Sequence, residues 1–415
     1  MFKTCSTSIA LIVMLAALLL TAACRTSATP TPPPTSPVLD GDGSAPVINQ
    51  NLTTTCVDTY TEGVDYFPEE VRIEHATGFT VEYFDNYKVV RVSNAYPGAS
   101  ETFTYVLVQC GTPAPTGFDD ALVIETPIDS VVPMSTTYVA QLDKLGLLQS
   151  VVALDSGDFV SNATLRPRID SGELQAIGFG PTVNVELLLT LDPDVVMTYA
   201  IGFPDSDTHP TLLAAGIPTV LNSDWVETTP LGRAEWLKFT ALFYNQEATA
   251  NQAFDDIAIR YNEAVALAAR AETQPVVFAN TPFQGTWYMP GGGSYLAQLL
   301  ADANATYPWA DTPDAGSLFL DFESVFAEAQ SADAWINVEY AASLSDLEAT
   351  DSRFAEFSAF QKGNVWSNTR RQTLYGNDFY ETGAVEPHEI LLDLIAILHP
   401  ELLPDRTLKY YQLLQ

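Results

Sequence analysis

Residues Leu231 to Ala271 read LGRAEWLKFTALFYNQEATANQAFDDIAIRYNEAVALAARA, a stretch without proline and, after Gly232, without glycine. Its apolar residues recur at the spacing of an α-helix; they include Trp236, Phe243, Phe254, Ile257, Tyr261, Val265 and Ala268. Pro230 lies just before the stretch, where a first helical turn tolerates a missing N–H group. An unbroken helix of about forty residues would be ~60 Å long, too long to cover one sheet, although Asn245 and Gln246 allow a break. We therefore predict one long connecting helix, residues 230–273, between two lobes.

The segments on either side of this helix show similar α/β patterns. Short apolar runs that predict strands alternate with helical segments; the runs are Ser130–Pro133, Val151–Leu154, Val195–Thr198 and Thr219–Leu221 before the helix, and Pro275–Ala279, Ala334–Val338 and Val365–Ser367 after it. This rhythm is typical of mostly parallel sheets with helices on both faces. We predict an α/β fold of two Rossmann-like lobes, residues 116–229 and 274–415, with functional loops at the carboxyl ends of the strands.

A β-rich extension, residues 51–115, precedes the first lobe. Thr80–Phe84 and Lys88–Val92 flank the turn signal Asp85–Asn86, and a further alternating run, Thr102–Val108, ends near Cys110. A disulfide between Cys56 and Cys110 would contribute about 4 kcal/mol in the chain-entropy model. The alternative is two free buried thiols.

The first 24 residues, MFKTCSTSIALIVMLAALLLTAAC, have the pattern of a signal peptide. Lys3 precedes an apolar run, Ile9 to Leu20, that is shorter than the ~20 residues of a membrane span. Small residues directly before Cys24 resemble the lipobox of bacterial lipoproteins, which implies a lipid on Cys24 that anchors the chain to the outer side of the bacterial cell membrane. Secretion with cleavage after Ala23 is the alternative. Residues 25–50, rich in Pro, Thr, Ser and Gly, predict a disordered tether.

Composition and motifs exclude several classes of function. The net charge of −34 argues against nucleic acid and against direct docking on anionic lipid, so we expect membrane contact through the lipid anchor alone. The sequence contains no CxxC, and its four histidines, His75, His209, His388 and His399, are scattered, which disfavours a metal site. Neither GxSxG nor HExxH occurs. We expect no enzymatic activity, no cofactor and no metal ligands, and a monomeric chain.

A glycine run, Pro290 to Ser294, leads into a predicted helix. It could be taken for a phosphate cradle, but it lacks the lysine of a P-loop. A tight connection in which Ser294 caps the helix is the favoured interpretation.

Aromatic residues and two arginines follow the predicted strands of both lobes. The aromatic residues that we predict to contact a ligand are Tyr199, Trp225, Trp287, Tyr288, Trp309, Tyr340 and Tyr380. Aromatic side chains in such loops suit a flat, partly apolar ligand, although ordinary packing is the alternative for each one. Arg370 and Arg371 follow the strand at Val365–Ser367, where a guanidinium could bind an oxyanion or neutralise a nearby carboxylate.

Five segments in order resemble the substrate-binding proteins of ABC importers for ferric siderophores, haem and cobalamin. They are VNVELLLTLDPDVVM at 183–197, LLAAGIPTV at 212–220, the helix from Tyr295 to Ala303, LDFE at 320–323 and the helix from Pro387 to Pro400. The resemblance implies a ligand cleft between two lobes that rock only slightly on binding. It also implies one exposed glutamate per lobe, Glu186 and Glu323, that pairs with arginines of the permease dimer; favourable placement in a first helical turn is the alternative for both.

These observations together predict a lipid-anchored receptor that captures a metal chelate and delivers it to an importer. The expected ligand is a ferric siderophore, and haem or a corrinoid is the second choice. A surface lipoprotein enzyme, or a sensor that signals instead of importing, would use the same two-lobed scaffold.

Overall fold

The computed structural model describes residues 47–339 and 341–415. The predicted signal peptide, the lipidation site Cys24, most of the tether and the predicted ligand contact Tyr340 lie outside the described residues. Among the helices of the described part, none is both long and apolar enough to cross a membrane.

The extension forms a four-stranded mixed sheet. Its strands are β1 (Phe79–Phe84), β2 (Tyr87–Val92), β3 (Phe103–Gln109) and β4 (Leu122–Thr126). The first three strands are antiparallel neighbours, as the predicted hairpin requires, and β4 pairs with β3 in parallel. The boundary predicted between residues 115 and 116 therefore runs through this sheet, because β4 belongs to it.

The first lobe is built on a parallel sheet. Its elements are β5 (Val131–Pro133), α1 (Thr136–Lys144), β6 (Ala153–Leu154), α2 (Arg166–Asp170), β7 (Gln175–Ala176), α3 (Val185–Leu191), β8 (Val195–Thr198), α4 (His209–Ala214) and β9 (Thr219–Leu221). The strand order is β5-β8-β9, and a bridge from Val131 to Val151 places the β6 segment beside β5. Ser135 and Asn184 cap α1 and α3 by accepting backbone N–H bonds.

Two helices, α5 (Pro230–Leu242) and α6 (Glu247–Ala268), occupy the connecting stretch. The run is thus broken where the sequence allowed it, because Asn245 takes a left-handed conformation with φ 54°. Nearly all of α5 is buried: Trp236 and Phe239 pack in the core of the first lobe, while Leu237 and Ala241 pack in the core of the second. Helix α5 therefore belongs to the hydrophobic cores of both lobes, which opposes relative motion of the lobes.

The second lobe completes the two-lobed α/β fold. Its elements are β10 (Val277–Ala279), β11 (Trp287–Pro290), α7 (Tyr295–Asp302), β12 (Ser317–Leu320), α8 (Phe322–Ala329), β13 (Ala334–Ile336), α9 (Leu344–Thr350), α10 (Ser358–Gln361), β14 (Trp366–Ser367), β15 (Gln372–Thr373), β16 (Gly376–Asn377), α11 (Asp378–Val385), α12 (Pro387–Leu398) and β17 (Gln412–Leu413). Strands β10 and β13 are parallel, and a bridge from Trp335 to Val365 extends this sheet toward β14. The predicted fold class is confirmed.

Buried carboxylates fasten the extension to the connecting helices. Glu235 on α5 accepts backbone N–H bonds from Glu74 (3.0 Å), His75 (2.6 Å) and Ala76 (2.7 Å), and its other partner is Lys238 (2.8 Å). All of these contacts join segments that are far apart in sequence, except the pair within the helix. The residues before β1 are thus held as firmly as a core element.

A second fastening lies at the junction of α5 and α6. The ammonium group of Lys88, fully buried, donates to Glu247 (2.7 Å), to Asn245 (2.8 Å) and to the carbonyl of Leu242 (2.6 Å). This ammonium group therefore caps the carboxyl end of α5 and also balances the charge of Glu247 at the start of α6. The paired sulfurs of Cys56 and Cys110 lie in the same extension, with Cα atoms 4.8 Å apart, as the predicted disulfide requires.

Candidate functional site

The carboxyl ends of the strands in the two lobes meet at a seam. The loop after β6 and the start of α2 contact the segment of β15, β16 and α11: Ser161 N donates to Glu381 (2.9 Å), and the guanidinium of Arg166 stacks over Tyr375 at 3.9 Å. A Cβ on Gly376 would lie 2.4 Å from the carbonyl of Phe159, so glycine allows the two backbones to approach. The seam is the edge at which strand-end loops were expected to form a site.

Both lobes carry exposed aromatic side chains on or after their strands. In the first lobe, Tyr199 follows β8 and is 38% exposed, and Trp225 follows β9 and is 37% exposed. In the second lobe, Tyr288 on β11 is 41% exposed and Tyr380 on α11 is 48% exposed. Of the residues predicted to contact a ligand, these four present aromatic surface to solvent at the strand ends or on an adjoining element.

Trp287 lies elsewhere than predicted. It is completely buried, its indole N–H donates to the carbonyl of Ala279 (2.9 Å), and its ring packs among Phe278, Trp335 and Phe357. Alternation along β11 turns Trp287 inward and Tyr288 outward. Trp309 is also largely buried, at 8% exposure, against Tyr307. The structure thus assigns Trp287 to the core and not to a ligand surface.

The arginines at the seam differ in their partners. Arg371 is paired with the nearly buried carboxylate of Asp378, which matches the neutralising alternative. Arg370 is exposed, and its side chain makes no ion pair with any residue that the structure describes. A third arginine, Arg233 in the first turns of α5, lies 3.9 Å from Asp224 and over the ring of Tyr295 at 5.4 Å. Arg233 was not among the residues predicted to contact a ligand, because its neighbours have the pattern of a core helix.

Two acidic side chains lie after the carboxyl ends of strands in the first lobe. Burial raises the pKa of Asp155, the residue after β6, to about 6. Burial also raises the pKa of Asp224, although the nearby Arg233 opposes this shift. Tyr138 is buried beside these groups and donates to the carbonyl of Asn222 (2.5 Å). The carboxyl groups of Asp155 and Asp224 therefore become protonated at a higher pH than an exposed aspartate.

A polar network occupies the corresponding edge of the second lobe. Tyr380 donates to Glu339, and Asn368 donates to both, at 3.1 Å to Glu339 and 3.2 Å to Tyr380. Next to it, Tyr411 donates to Asn337 (2.7 Å). Hydrogen-bonding side chains from α11 and from the loops after β13 and β14 thus converge where these strands end.

The two glutamates expected to dock a permease lie in first helical turns. Glu186 on α3 is exposed and has no ion-pair partner among the described residues. Glu323 on α8 is 74% exposed at its side chain and pairs with Arg353 (3.0 Å), which also binds Asp351 (2.7 Å). The two sites therefore differ, because Glu323 already has a cation.

The glycine run before α7 has a packing role. Ser294 caps the helix by accepting from the N–H of Ala297 (3.2 Å). A Cβ on Gly292 would lie 2.2 Å from the carbonyl of Ala310, so close packing against the following loop requires glycine. The favoured interpretation of this run is confirmed.

A pocket of about 330 Å³, partly open to solvent, lies between the extension and α4. Its lining includes Phe103, Asp119, His209 and Leu213. It does not border the aromatic surface described above. Among the described residues, no group of three or more His, Cys, Asp or Glu side chains is placed to hold a metal ion.

Comparisons with known proteins agree with the two-lobed α/β fold. Residues 131–369 match the family model described as periplasmic binding protein. Two uncharacterized lipoproteins of Methanocaldococcus jannaschii are similar: one is 24% identical over 302 residues, covering 71% of this chain and 70% of the relative, and the other is 26% identical over 324 residues, covering 74% and 79%. A possible iron-binding (periplasmic solute-binding) protein from Staphylococcus epidermidis superposes with a TM-score of 0.52 at 16% identity, covering 66% of this chain and 100% of that one. At this identity the structural likeness shows the fold alone.

Proposed function

Because this chain belongs to the periplasmic binding protein family, we propose that it captures a metal chelate between its lobes and delivers it to an ABC importer. Members of this family bind solutes outside the cytoplasm. The ligand that we propose is a ferric siderophore, with haem or a corrinoid as the alternative of the same class.

The observation that carries this proposal is the presence of exposed aromatic side chains on both lobes. Tyr199 and Trp225 extend from the first lobe, and Tyr288 and Tyr380 from the second. A chelate with an extended organic scaffold buries apolar area against such rings, at about 25 cal/mol per Å², and two facing surfaces enclose more of it than one. Because α5 packs in the cores of both lobes, we expect only small movements of the lobes on binding. The exposed aromatic surfaces are then largely preformed.

Titration with candidate ligands tests the proposal directly. The protein is mixed with a ferric tris-hydroxamate, a ferric tris-catecholate, haem and a corrinoid, and quenching of tryptophan fluorescence is followed. We expect at least one of these ligands to bind with a Kd below about 10 μM, and Trp225→Ala to weaken that binding. If none binds in that range, the receptor proposal fails.

The anchor is a proposal about Cys24 and the segment that follows it. A lipid on Cys24 would retain the protein at the membrane, while a proline-rich tether would hold the lobes away from the surface. Two relatives named as lipoproteins support this. Mass spectrometry of the protein isolated from membranes should find diacylglycerol on Cys24, and Cys24→Ser should release the protein into the medium. A mature chain that begins at Cys24 without lipid would contradict the anchor.

Permease docking through Glu186 and Glu323 is a separate proposal. Each is an exposed carboxylate in the first turn of a helix, one in each lobe, and could pair with an arginine of the permease. Glu323 must first exchange Arg353 for its new partner. Charge reversal of both residues to Lys should abolish uptake and leave ligand affinity unchanged. Glu328→Lys, which also changes an exposed glutamate of α8, is the matched control; equal loss with the control would refute the assignment.

A further inference from the structure

The pocket of about 330 Å³ lies where the extension meets the first lobe. Strand β4 is the last strand of the extension's sheet, and β9 is the last strand of the first lobe's sheet. Residues of β3, of β4 and of the loop before β4 line the pocket on one side, and residues of α4 and β9 line it on the other. The hydroxyl of Tyr105 accepts from the N–H of Leu221 (2.9 Å) and joins the two sheets beside the pocket. The pocket therefore exists only because the extension is fixed against the lobe.

The walls of this pocket are largely apolar. Tyr105 and Leu221 are buried, at 3% and 1% exposure, and Leu213 lies nearer the solvent. The ring of Phe103 meets the imidazole of His209 edge-on, with ring centroids 5.6 Å apart. The volume is at the lower end of the range for small-molecule sites, about 300–1,000 Å³. An occupant that fits is therefore small and has an apolar body.

The charged groups at the pocket are carboxylates. Asp119 and Asp120 line it, both are exposed, and neither makes an ion pair with a residue in the described part of the chain. None of the lining residues is Lys or Arg. Burial lowers the pKa of His209, although Asp207 and Glu101 oppose this shift, so its imidazole is neutral at pH 7. Two carboxylates without a counter-charge beside apolar walls favour a cation and disfavour an anion.

We infer that this pocket is a second binding site, which takes a small alkylammonium ion with a single positive charge. The apolar part of the ion packs against Phe103, Tyr105 and Leu221, and its nitrogen lies toward Asp119 and Asp120. Aromatic rings such as that of Phe103 also attract ammonium ions. None of the exposed aromatic residues assigned to the metal chelate lines this pocket. The inference therefore goes beyond the proposed function and does not depend on it.

Isothermal titration calorimetry with matched probes tests the site. Choline and butylammonium carry one positive charge on a small apolar body, whereas 3,3-dimethylbutan-1-ol has the shape of choline without its charge. Butanoate carries the opposite charge. We expect at least one of the two ammonium ions to bind with a Kd below about 1 mM, the neutral alcohol to bind at least about tenfold more weakly and butanoate not to bind. The affinity should fall as the NaCl concentration rises, because the carboxylates are exposed.

Three variants assign the binding to this pocket. Asp119→Asn combined with Asp120→Asn should weaken ammonium binding about 5–20-fold, because two exposed charges are lost. Leu213→Trp adds volume at an exposed position of α4 that lines the pocket, and it should abolish binding. Asp255→Asn combined with Asp256→Asn changes an adjacent pair of exposed aspartates on α6. This matched control should change the Kd less than about twofold.

Thermal unfolding checks that the variants fold, and the exposed positions predict midpoints within about 2 °C of the wild type. The inference is overturned if neither ammonium ion binds, if the neutral alcohol binds as tightly, or if the double variant at Asp119 and Asp120 binds like the wild type. Loss of ammonium binding in Trp225→Ala but not in Leu213→Trp would place the cation between the lobes and also overturn it. Failure of the metal chelates to bind would overturn the proposed function alone.

Discussion

Replacing Glu235 by alanine removes the acceptor on which residues 74–76 depend. The carboxylate is fully buried and accepts from Glu74, His75 and Ala76, while its cation, Lys238, is 3% exposed. After the substitution, Lys238 keeps one strong contact, the carbonyl of Arg72 (2.6 Å). Removing one member of a buried ion pair costs about 3–5 kcal/mol, and three orphaned N–H groups place the loss at the upper end of that range.

Urea unfolding measures this loss. With an m value of about 3 kcal/mol per M, a loss of 4 kcal/mol lowers the midpoint by roughly 1.3 M. Fluorescence and far-UV circular dichroism should give coincident transitions. Glu235→Gln keeps one carbonyl acceptor and should lose about half as much. Glu263→Ala, an exposed glutamate of α6, is the matched control. A Glu235→Ala midpoint indistinguishable from that control would refute the reasoning that these carboxylates hold the extension in place.

Three further predictions follow from individual side chains. Burial raises the pKa of Asp155 to about 6, so the folded state favours the neutral carboxyl group, and stability is lost as the pH rises from about 4 to 6. Asp155→Asn should therefore raise the free energy of unfolding at pH 7 by up to about 3 kcal/mol and change it little at pH 3.5. Urea titrations at both pH values measure this difference. Trp287→Ala should destabilise the protein by about 3–5 kcal/mol through its cavity, whereas Trp225→Ala should leave the thermal midpoint within about 2 °C and weaken ligand binding. Replacing Cys56 and Cys110 together by serine should lower the free energy of unfolding by about 2–4 kcal/mol, and a reductant should then have no further effect on the variant.

Periodicity in the sequence was sufficient for the fold because the core is regular. The predicted strands near Val195 and Thr219 coincide with β8 and β9, and the helical spacing of Trp236 and Phe254 locates α5 and α6. Strand β4 was not predicted, although Val123, Ile124 and Thr126 are typical strand residues. Its parallel pairing with β3 places it in the sheet of the extension.

The site was harder to predict because a loop aromatic and a core aromatic have the same local pattern. Trp287 and Tyr288 are adjacent, yet one is completely buried and the other 41% exposed. The contacts of Arg233 could not be predicted, since its partners Asp224 and Tyr295 lie in other elements. Partnerships between distant residues depend on tertiary geometry, which a single sequence does not contain.

The fastening of the extension also determines the order in which the chain can reach its native state. Glu247, the carboxylate partner of Lys88, lies 159 residues later in the chain, and Glu235, which accepts from the N–H of His75, lies 160 residues later. During synthesis the first sheet emerges long before these partners, and a buried ammonium without a counter-charge would oppose its closure. Contacts of this sequence separation also slow folding. The extension is thus synthesised first but forms its native contacts with α5 and α6 late. A fragment that ends before α5 would not form the native sheet.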